Sequence, residues 1–467
     1  MDNLSKRNGF WAAVRESVAG AEQNFTEGSL GRAITLLAIP MVLEMSMESL
    51  FAIVDVFWVS RLGKDAVAAV GLTESLMTIL YTVALGISMA TTAIVARRIG
   101  EKDPDSAAVT AVQSIGLGVV VSAVVGVAGV LLSRRLLAWM GAAPAVVETG
   151  AGYTAWILGS SVTVLLLFLI NAVFRGAGDA VAAMRALWLG NGVNILLDPC
   201  FIFGWGPFPE MGVTGAAVAT AIGRGVGVCY QVWVLTRRGR RVRVGKAHLR
   251  LARDVLRRLL RLSLTGMLQF LVATASWIGL VRIIALSGSA ALAGYTIALR
   301  IIVFAILPAW GMSNAVATLV GQNLGAAKPH RAEKAVWVTG FYNMIFLAGV
   351  TVVFLVFAEP LVRLFTKDPA VIPYAADCLR LVSYGYVFYA YGMVMVQAFN
   401  GAGDTTTPTI INLFCYWLWQ IPLAYALAVP AGLGAQGVFW AITVAESTIA
   451  VVGMLAFRRG RWKAVRV

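Results

Sequence analysis

The stretch Ala33–Val59, AITLLAIPMVLEMSMESLFAIVDVFWV, is long enough to span a bilayer and yet carries three acidic residues. Because an α-helix turns by about 100° per residue, Glu44, Glu48 and Asp55 fall within about 40° of one another. A carboxylate at bilayer depth costs about 2.5–3.5 kcal/mol on insertion scales. The acidic stripe therefore predicts one of two environments, a hydrated vestibule or a proton- or ion-handling site. Both remain open for Glu44 and Glu48. For Asp55 we favour the proton- or ion-handling site.

Pro40 lies in the same stretch. Proline removes one backbone hydrogen bond from a helix and gives the helix a place to bend. We therefore expect Pro40 to act as a hinge in the first membrane span.

The composition indicates an integral membrane protein. Of the 467 residues, 59% are apolar and only 13% are charged, and long apolar runs of this kind are typical of membrane helices. Residues 1–31 are polar and contain no apolar core, so no cleavable signal peptide is expected. The four cysteines are far apart and both histidines lie in polar loops. This pattern supports neither a disulfide framework nor a zinc or His-based metal centre, and we expect no cofactor.

Twelve apolar stretches reach the length of a membrane helix, which predicts an all-α integral membrane fold with twelve transmembrane helices. We expect a tail at 1–32, an N-lobe of six spans at 33–236, a basic linker at 237–261, a C-lobe of six spans at 262–457 and a basic tail at 458–467. The residues 135–140 are expected to continue the third helix or to lie in the interface. The predicted spans are 33–59, 66–96, 107–133, 148–174, 180–204, 212–236, 262–286, 290–319, 333–358, 374–399, 405–429 and 433–457.

The basic residues predict the orientation. The tails, the linker and the loops on their side contain 27 Lys and Arg residues, whereas the loops on the other side contain 6. By the positive-inside rule, both termini and the linker are expected in the cytoplasm. The formal charge of +15 is therefore mainly a topology signal, with attraction to anionic lipid as a secondary effect, and nucleic acid is not expected as a partner.

The two halves resemble each other in sequence. Arg175-Gly-Ala-Gly-Asp179 recurs 225 residues later as Asn400-Gly-Ala-Gly-Asp404. A near-constant offset at several landmarks indicates an internal repeat. Since each half has an even number of spans, we predict two parallel six-helix repeats related by an axis along the membrane normal, with a cavity between them. The further landmarks are Gly63 with Gly288, Gly100 with Gly325, and Gly212 with Gly434.

A polar face in the fifth predicted span is the second candidate site. Asn191, Asn194 and Asp198 are spaced i, i+3 and i+7, which places them on one helix face. A carboxylate beside amide oxygens could bind sodium, since hard cations take oxygen ligands. It could equally be a carboxylate that is protonated because burial raises its pKa. A purely structural role, in which Asn194 satisfies Asp198, also remains open.

Other features of the sequence are weaker evidence of function. The RGAGD and NGAGD segments have no βαβ context and are interpreted as tight cytoplasmic turns. Arg282, Arg300 and Glu446 lie within spans of the C-terminal half. They could form a compensating ion pair or extend towards the interface.

Taken together, these motifs resemble the MATE (multidrug and toxic compound extrusion) family over about residues 30–457. The resemblance rests on Pro40, on ESLFAIVDVFW at 48–58, on the RGAGD segment and on NILLDP at 194–199. It also includes GVTGAAVAT at 212–220 and GQNLG at 321–325.

The resemblance implies a MATE-like fold and assigns candidate residues. The family's first-span aspartate matches Asp55, and its fifth-span pair matches Asn194 and Asp198. Its sixth-span threonine matches Thr220 or Thr214. Coupling would then involve Asp55, Asp198, Asn194 and Thr220, with Asp55, Asn194 and Asp198 as possible sodium ligands. The substrate cavity would include Glu48, Glu44, Asn191 and Thr214.

The resemblance also implies the activity, an antiporter that exports amphipathic or cationic organic compounds in exchange for H⁺ or Na⁺. We expect a functional monomer in the cell (cytoplasmic or inner) membrane, with small organic molecules and membrane lipid as its partners. A lipid-linked sugar or lipid flippase of the same superfamily is the alternative. It is less favoured because the first span carries acids where a pyrophosphate carrier would require cations. A membrane-embedded enzyme would need a nucleophilic or His/Cys centre, and we expect no enzymatic activity.

Overall fold

The computed structural model describes residues 10–20, 24–237 and 241–465. Within these ranges the chain is helical and contains no strand. Parts of three predicted segments lie outside the described residues, namely 1–9 and 21–23 of the N-terminal tail, 238–240 of the linker and 466–467 of the C-terminal tail. The all-α membrane fold predicted from composition is confirmed.

Sixteen α-helices make up the described chain, together with two short 3₁₀ turns and one π-helical segment. The first eight are α1 (Phe10–Ala19), α2 (Leu30–Ser60), α3 (Lys64–Gly100), α4 (Pro104–Trp139), α5 (Pro144–Gly159), α6 (Ser161–Ala177), α7 (Ala180–Phe203) and α8 (Val213–Thr236). The second eight are α9 (Arg253–Ala285), α10 (Ser289–Gly325), α11 (Pro329–Arg363), α12 (Ile372–Ser383), α13 (Tyr386–Ala402), α14 (Thr406–Asn412), α15 (Ile421–Ala428) and α16 (Gly434–Arg458).

The predicted spans correspond to these helices. Eleven segments of the described chain are long and apolar enough to cross a membrane. The remaining predicted span, 374–399, consists of α12 and α13, which are separated at Tyr384 and Gly385 and together cover 372–402. The fourth span is likewise divided, into α5 and α6 at Ser160. Residues 135–139 continue the third span as the end of α4.

The described residues pack into two compact units. The first comprises residues up to 20 together with 43–263, and the second comprises 24–42 together with 264–465. The sequence predicts that 24–32 belong to a tail and 33–42 to the N-lobe, whereas in the structure both segments pack within the second unit. Phe25 is buried there, and the Arg331 guanidinium donates hydrogen bonds to the carbonyls of Glu27 (2.9 Å) and Gly28 (3.0 Å).

The internal repeat is visible in the backbone. The bounds of α3 and α10 differ by 225 residues at both ends, as do those of α6 and α13. Positive φ angles recur at equivalent positions of the two halves. Because side chains disfavour these angles, their recurrence is strong evidence for the repeat. The pairs are Gly63 and Gly288 (φ 99° and 102°), Lys102 and Ala327 (60° and 56°), Gly178 and Gly403 (84° and 85°), and Gly212 and Gly434 (56° and 54°).

The repeated RGAGD and NGAGD segments are tight turns between helices, as predicted. Gly178 ends α6 in the left-handed conformation, and its N–H donates to the carbonyl of Arg175 (2.9 Å). Asp179 then caps α7 by accepting a hydrogen bond from the N–H of Ala182 (3.1 Å). Gly176 is required for packing, since a Cβ there would lie 2.9 Å from the Thr92 carbonyl oxygen.

The described part of the basic linker packs within the first unit. The Gln113 side-chain amide donates to the Arg250 carbonyl (2.7 Å) and accepts from the N–H of Ala252 (3.3 Å). The seventh span was predicted to begin at 262, but α9 begins at Arg253. The helix starts earlier because its first turns have an apolar side, on which Leu259 is fully buried.

Candidate functional site

Asn194 is the centre of a buried polar cluster between α7 and α8. Its Nδ2 donates to Asp198 Oδ1 (3.3 Å) and to Thr220 Oγ1 (3.1 Å). Asp198 has no exposed surface, and Asn194 and Thr220 are also buried. The i, i+4 spacing of Asn194 and Asp198 on one helix produces the first bond, and the close approach of α8 produces the second.

Glycines bring α7 and α8 together at this point. A Cβ on Gly223 would lie 2.5 Å from the Gly190 carbonyl oxygen and 2.8 Å from Asn194 Cβ. A Cβ on Gly227 would lie 3.0 Å from the carbonyl oxygen of Ala186. Small residues four apart let two helix backbones approach closely, and this approach places the Thr220 hydroxyl within reach of the Asn194 amide.

Asp55 joins the cluster from α2. Its side chain is 8% exposed, and its charge interacts with those of Asp198, Glu74 and Arg224. Four helices, α2, α3, α7 and α8, therefore contribute ionisable groups to one region of the first unit. Two carboxyl groups in one buried region cannot both ionise at low cost.

Glu48 and Asn191 form a neighbouring pair. Asn191 Nδ2 donates to Glu48 Oε2 (3.1 Å), which links α7 to α2 one turn of α7 before Asn194. Glu48 is partly exposed and its charge also interacts with Arg224. The predicted polar faces of the first and fifth spans are thus in contact.

Glu44 occupies a different environment from the hydrated vestibule considered for it. It is 2% exposed, and its Oε1 accepts hydrogen bonds from Asn171 Nδ2 (3.1 Å) and from the Arg175 guanidinium (3.0 Å). Gln231 Nε2 in turn donates to Asn171 Oδ1 (2.6 Å). This carboxylate is therefore shielded from water and held in an ion pair with Arg175.

The structure distinguishes the two candidate threonines. Thr220 is bonded to Asn194, whereas Thr214 lies at the start of α8, where its hydroxyl would be 2.7 Å from a Cβ on Gly152 of α5. Pro40 lies within α2, and the change from the second compact unit to the first follows shortly after it, between residues 42 and 43.

Arg224 is a residue of this region that the sequence did not single out, as is Glu74 of α3. Arg224 is 8% exposed in α8, and its guanidinium donates to the Tyr81 hydroxyl (3.1 Å) and lies 5.9 Å from the centroid of the Phe51 ring. A basic residue inside the apolar sixth span was an available signal, because a buried charge in a membrane helix is rarely without a partner.

The cluster retains free acceptor capacity. Asn194 Oδ1 and Asp198 Oδ2 are buried and accept no hydrogen bond, although buried polar atoms nearly always have a partner. A proton on Asp198 or a small cation between these oxygens would satisfy them. Within the described residues, no group of three or more His, Cys, Asp or Glu side chains could hold a metal ion, so any cation bound here would depend on amide and hydroxyl oxygens as well.

Comparison with known proteins identifies the family. The family model MatE matches residues 40–200 and 263–426. The chain is 27% identical over 433 residues to the probable multidrug resistance protein NorM of Thermotoga maritima, covering 91% of this chain and 92% of the relative.

Two solved structures are similar throughout. A crystal structure of MATE in the straight conformation has a TM-score of 0.88 and 28% identity, covering 94% of this chain and 98% of that one. A crystal structure of MATE in the bent conformation has a TM-score of 0.87 and 29% identity, covering 96% and 98%. With its apolar helices, the chain is a multi-pass membrane protein that belongs to the MatE family of MATE multidrug efflux transporters.

Proposed function

We propose that this chain is a secondary antiporter that exports amphipathic or cationic organic compounds in exchange for H⁺ or Na⁺. The observation that carries the proposal is the buried cluster of Asp55, Asn194 and Asp198 with two unsatisfied oxygens. Such a cluster can exist in a neutral, ion-loaded form and in an anionic form, and only the anionic form attracts a cation.

Exchange follows because the coupling ion and a cationic substrate compete for the same negative charge. A proton or a sodium ion that occupies Asp55 and Asp198 removes the negative charge that retains a cationic substrate. Alternating access of the two lobes would then release substrate on one side and the coupling ion on the other. Pro40 would let α2 bend as the charge on Asp55 changes. Glu48, Asn191 and Thr214 are proposed to lie along the substrate path, whereas Glu44, buried in an ion pair with Arg175, is proposed to have a structural role.

The charge balance favours a cationic substrate over the flippase alternative. Arg224 is the basic residue whose charge interacts with Glu48 and Asp55, and acids outnumber it. A site for a pyrophosphate carrier would contain more basic than acidic side chains. We further propose that the protein is a monomer of the cell membrane without enzymatic activity. Both termini and the linker are proposed to be cytoplasmic, because basic residues are concentrated in them.

The test is flux in proteoliposomes under an imposed pH gradient or an imposed sodium gradient. Wild-type protein is expected to drive export of an organic cation with at least one of the two gradients. A matched control is Glu359→Gln, which removes an exposed acid paired with Arg363 in α11. Absence of gradient-driven export for both ions in a folded protein would refute the antiport proposal.

A further inference from the structure

The second compact unit contains a cavity of its own. Its volume is about 330 Å³, and its walls come from α9, α10, α12, α13 and α16 and from the π-helical segment that precedes α15. This volume lies at the lower end of the range for small-molecule sites. The cavity is separate from the Asp55 cluster, which belongs to the first unit.

Glu446 is the one carboxylate among the residues that line this cavity, all of which lie in the described part of the chain, and none of them is a lysine or arginine. Its Oε1 accepts a hydrogen bond from the Tyr416 hydroxyl (3.2 Å), whereas its Oε2 is buried and accepts none. Arg282 and Arg300 are exposed and do not pair with it. A carboxylate held ionised in an apolar wall without a countercharge is costly, and either a proton or an accompanying cation removes that cost.

The rest of the lining suits an organic cation with an aromatic ring. Trp277, Trp310, Tyr386 and Tyr389 all contribute to the wall. Tyr386 and Tyr389 lie close enough to Glu446 for its carboxylate to act electrostatically on their hydroxyl groups. Aromatic faces attract cations, most strongly where water is excluded.

An irregular helix brings two more polar groups to this place. Residues Leu413–Gln420 form a π-helical segment, and such segments are frequent at functional sites. Tyr416 of this segment bonds to Glu446, and Gln420 lines the cavity with an Oε1 that is buried and unpaired. Gln420 Oε1 and Glu446 Oε2 are therefore two free acceptors of one site.

The position of Glu446 in the repeat gives an independent argument. Gly212 and Gly434 are equivalent, with φ of 56° and 54°, and the offset of 222 that relates them pairs Arg224 with Glu446. The residue that interacts with the acidic cluster of the first unit thus has an acidic counterpart at the equivalent place in the second.

We propose that the cavity of the second unit binds an organic monocation that carries an aromatic ring, with Glu446 as its countercharge and the aromatic wall as its apolar contact. The site is additional to the proposed coupling cluster and does not depend on the coupling ion. It would give the transporter a second place to hold its substrate class.

The test is equilibrium dialysis of radiolabelled phenyltrimethylammonium against the purified full-length protein, in the Asp55→Asn background so that the coupling cluster has lost a charge. Binding of about one equivalent is expected, and the neutral isostere tert-butylbenzene should not compete at equal concentration. Glu446→Gln is expected to weaken binding by about tenfold or more. The control Glu359→Gln should bind as its parent does.

A second variant separates charge loss from misfolding. Ile442→Trp places a larger side chain in the cavity wall and should abolish binding without removing the carboxylate. Both variants are checked by thermal unfolding and size-exclusion chromatography. Unchanged affinity in both variants would overturn the proposal. Retained Glu446-dependent binding, together with an absence of gradient-driven export by the wild-type protein, would contradict the antiport proposal alone.

Discussion

Arg224 in α8 and Glu446 in α16 occupy equivalent positions of the two repeats and carry opposite charges. Each is hydrogen-bonded to a tyrosine, Arg224 to the Tyr81 hydroxyl (3.1 Å) and Glu446 by the Tyr416 hydroxyl (3.2 Å). The duplicated backbone has thus retained its turns and glycines while its buried polar residues have diverged. Around Asp55 the acids outnumber the one arginine that interacts with them, Arg224, whereas no lysine or arginine is among the described residues that line the cavity with Glu446.

Replacement of Asp55 by asparagine should abolish gradient-driven export. The change keeps the size of a side chain that is only 8% exposed, but it removes the charge that binds the coupling ion and repels a second charge on Asp198. Flux in proteoliposomes should fall to the level of protein-free vesicles, while the unfolding temperature stays close to the wild-type value. A wild-type rate with unchanged pH and sodium dependence would show that Asp55 has no coupling role.

Replacement of Glu44 by glutamine should affect stability more than coupling. Glu44 is ion-paired with Arg175 at 3.0 Å, and removal of one partner leaves a charge with reduced compensation. Breaking a fully buried pair costs about 3–5 kcal/mol; since Arg175 is partly exposed, we expect about 2 kcal/mol. Thermal unfolding measures this loss. A large loss of transport at unchanged stability would instead place Glu44 in the coupling site.

Thr220 should contribute to ion binding through its hydroxyl. Thr220→Val keeps the shape of the side chain but removes the oxygen that accepts the hydrogen bond from Asn194. The Asn194 amide then has one acceptor fewer. We expect about a fivefold rise in the ion concentration that gives half-maximal transport, as for the loss of one hydrogen bond of about 1 kcal/mol. Thr220→Ser should behave as wild type. If valine and serine give equal curves, the hydroxyl is not used.

Gly223 should be intolerant of even one methyl group. Gly223→Ala would place a Cβ 2.5 Å from the Gly190 carbonyl oxygen, and the forced separation of α7 and α8 should cost about 1–3 kcal/mol. It should also lengthen the Asn194–Thr220 contact and so weaken ion binding. Gly225→Ala is the control, because a Cβ there meets no atom within 4 Å. Equal unfolding temperatures of the two variants would contradict the packing argument.

Asp103 should give the start of α4 a pH-dependent stability. Its carboxylate caps the helix by accepting from the N–H of Ser106 (3.0 Å), and hydrogen bonds from Ser106 lower the pKa of Asp103 below its ordinary value. Because the pKa is lowered on folding, the charged cap contributes to the free energy of unfolding at pH values above the unfolded-state pKa of about 3.9. This stabilisation is lost as pH falls through the pKa of the folded state.

The measurement for Asp103 is thermal unfolding of the wild type and of Asp103→Ala across pH. The variant should be less stable by about 1 kcal/mol at pH 7, a typical value for loss of an N-cap. The difference should shrink below about pH 4. A difference that stays constant down to pH 3 would mean that the charge of the cap contributes nothing.

The sequence by itself determined the helices, their order and the repeat. Apolar runs of membrane length are a local property of the sequence. The positive φ angles at Gly63, Gly178 and Gly288 are also local, because glycine adopts them without help from distant residues. The stripe of Glu44, Glu48 and Asp55 followed from helix periodicity alone. Even the contact of Asn194 with Asp198 could be expected, because both lie on one helix.

Only the tertiary structure decided which side chains meet across helices. The pairing of Asn194 with Thr220, of Glu44 with Arg175 and of Arg224 with Tyr81 depends on the rotation and register of separate helices. That register is set by close backbone contacts such as the one between Gly190 and Gly223, and shape complementarity between distant segments is not encoded in the periodicity of either one. The assignment of residues 24–42 to the second unit has the same origin.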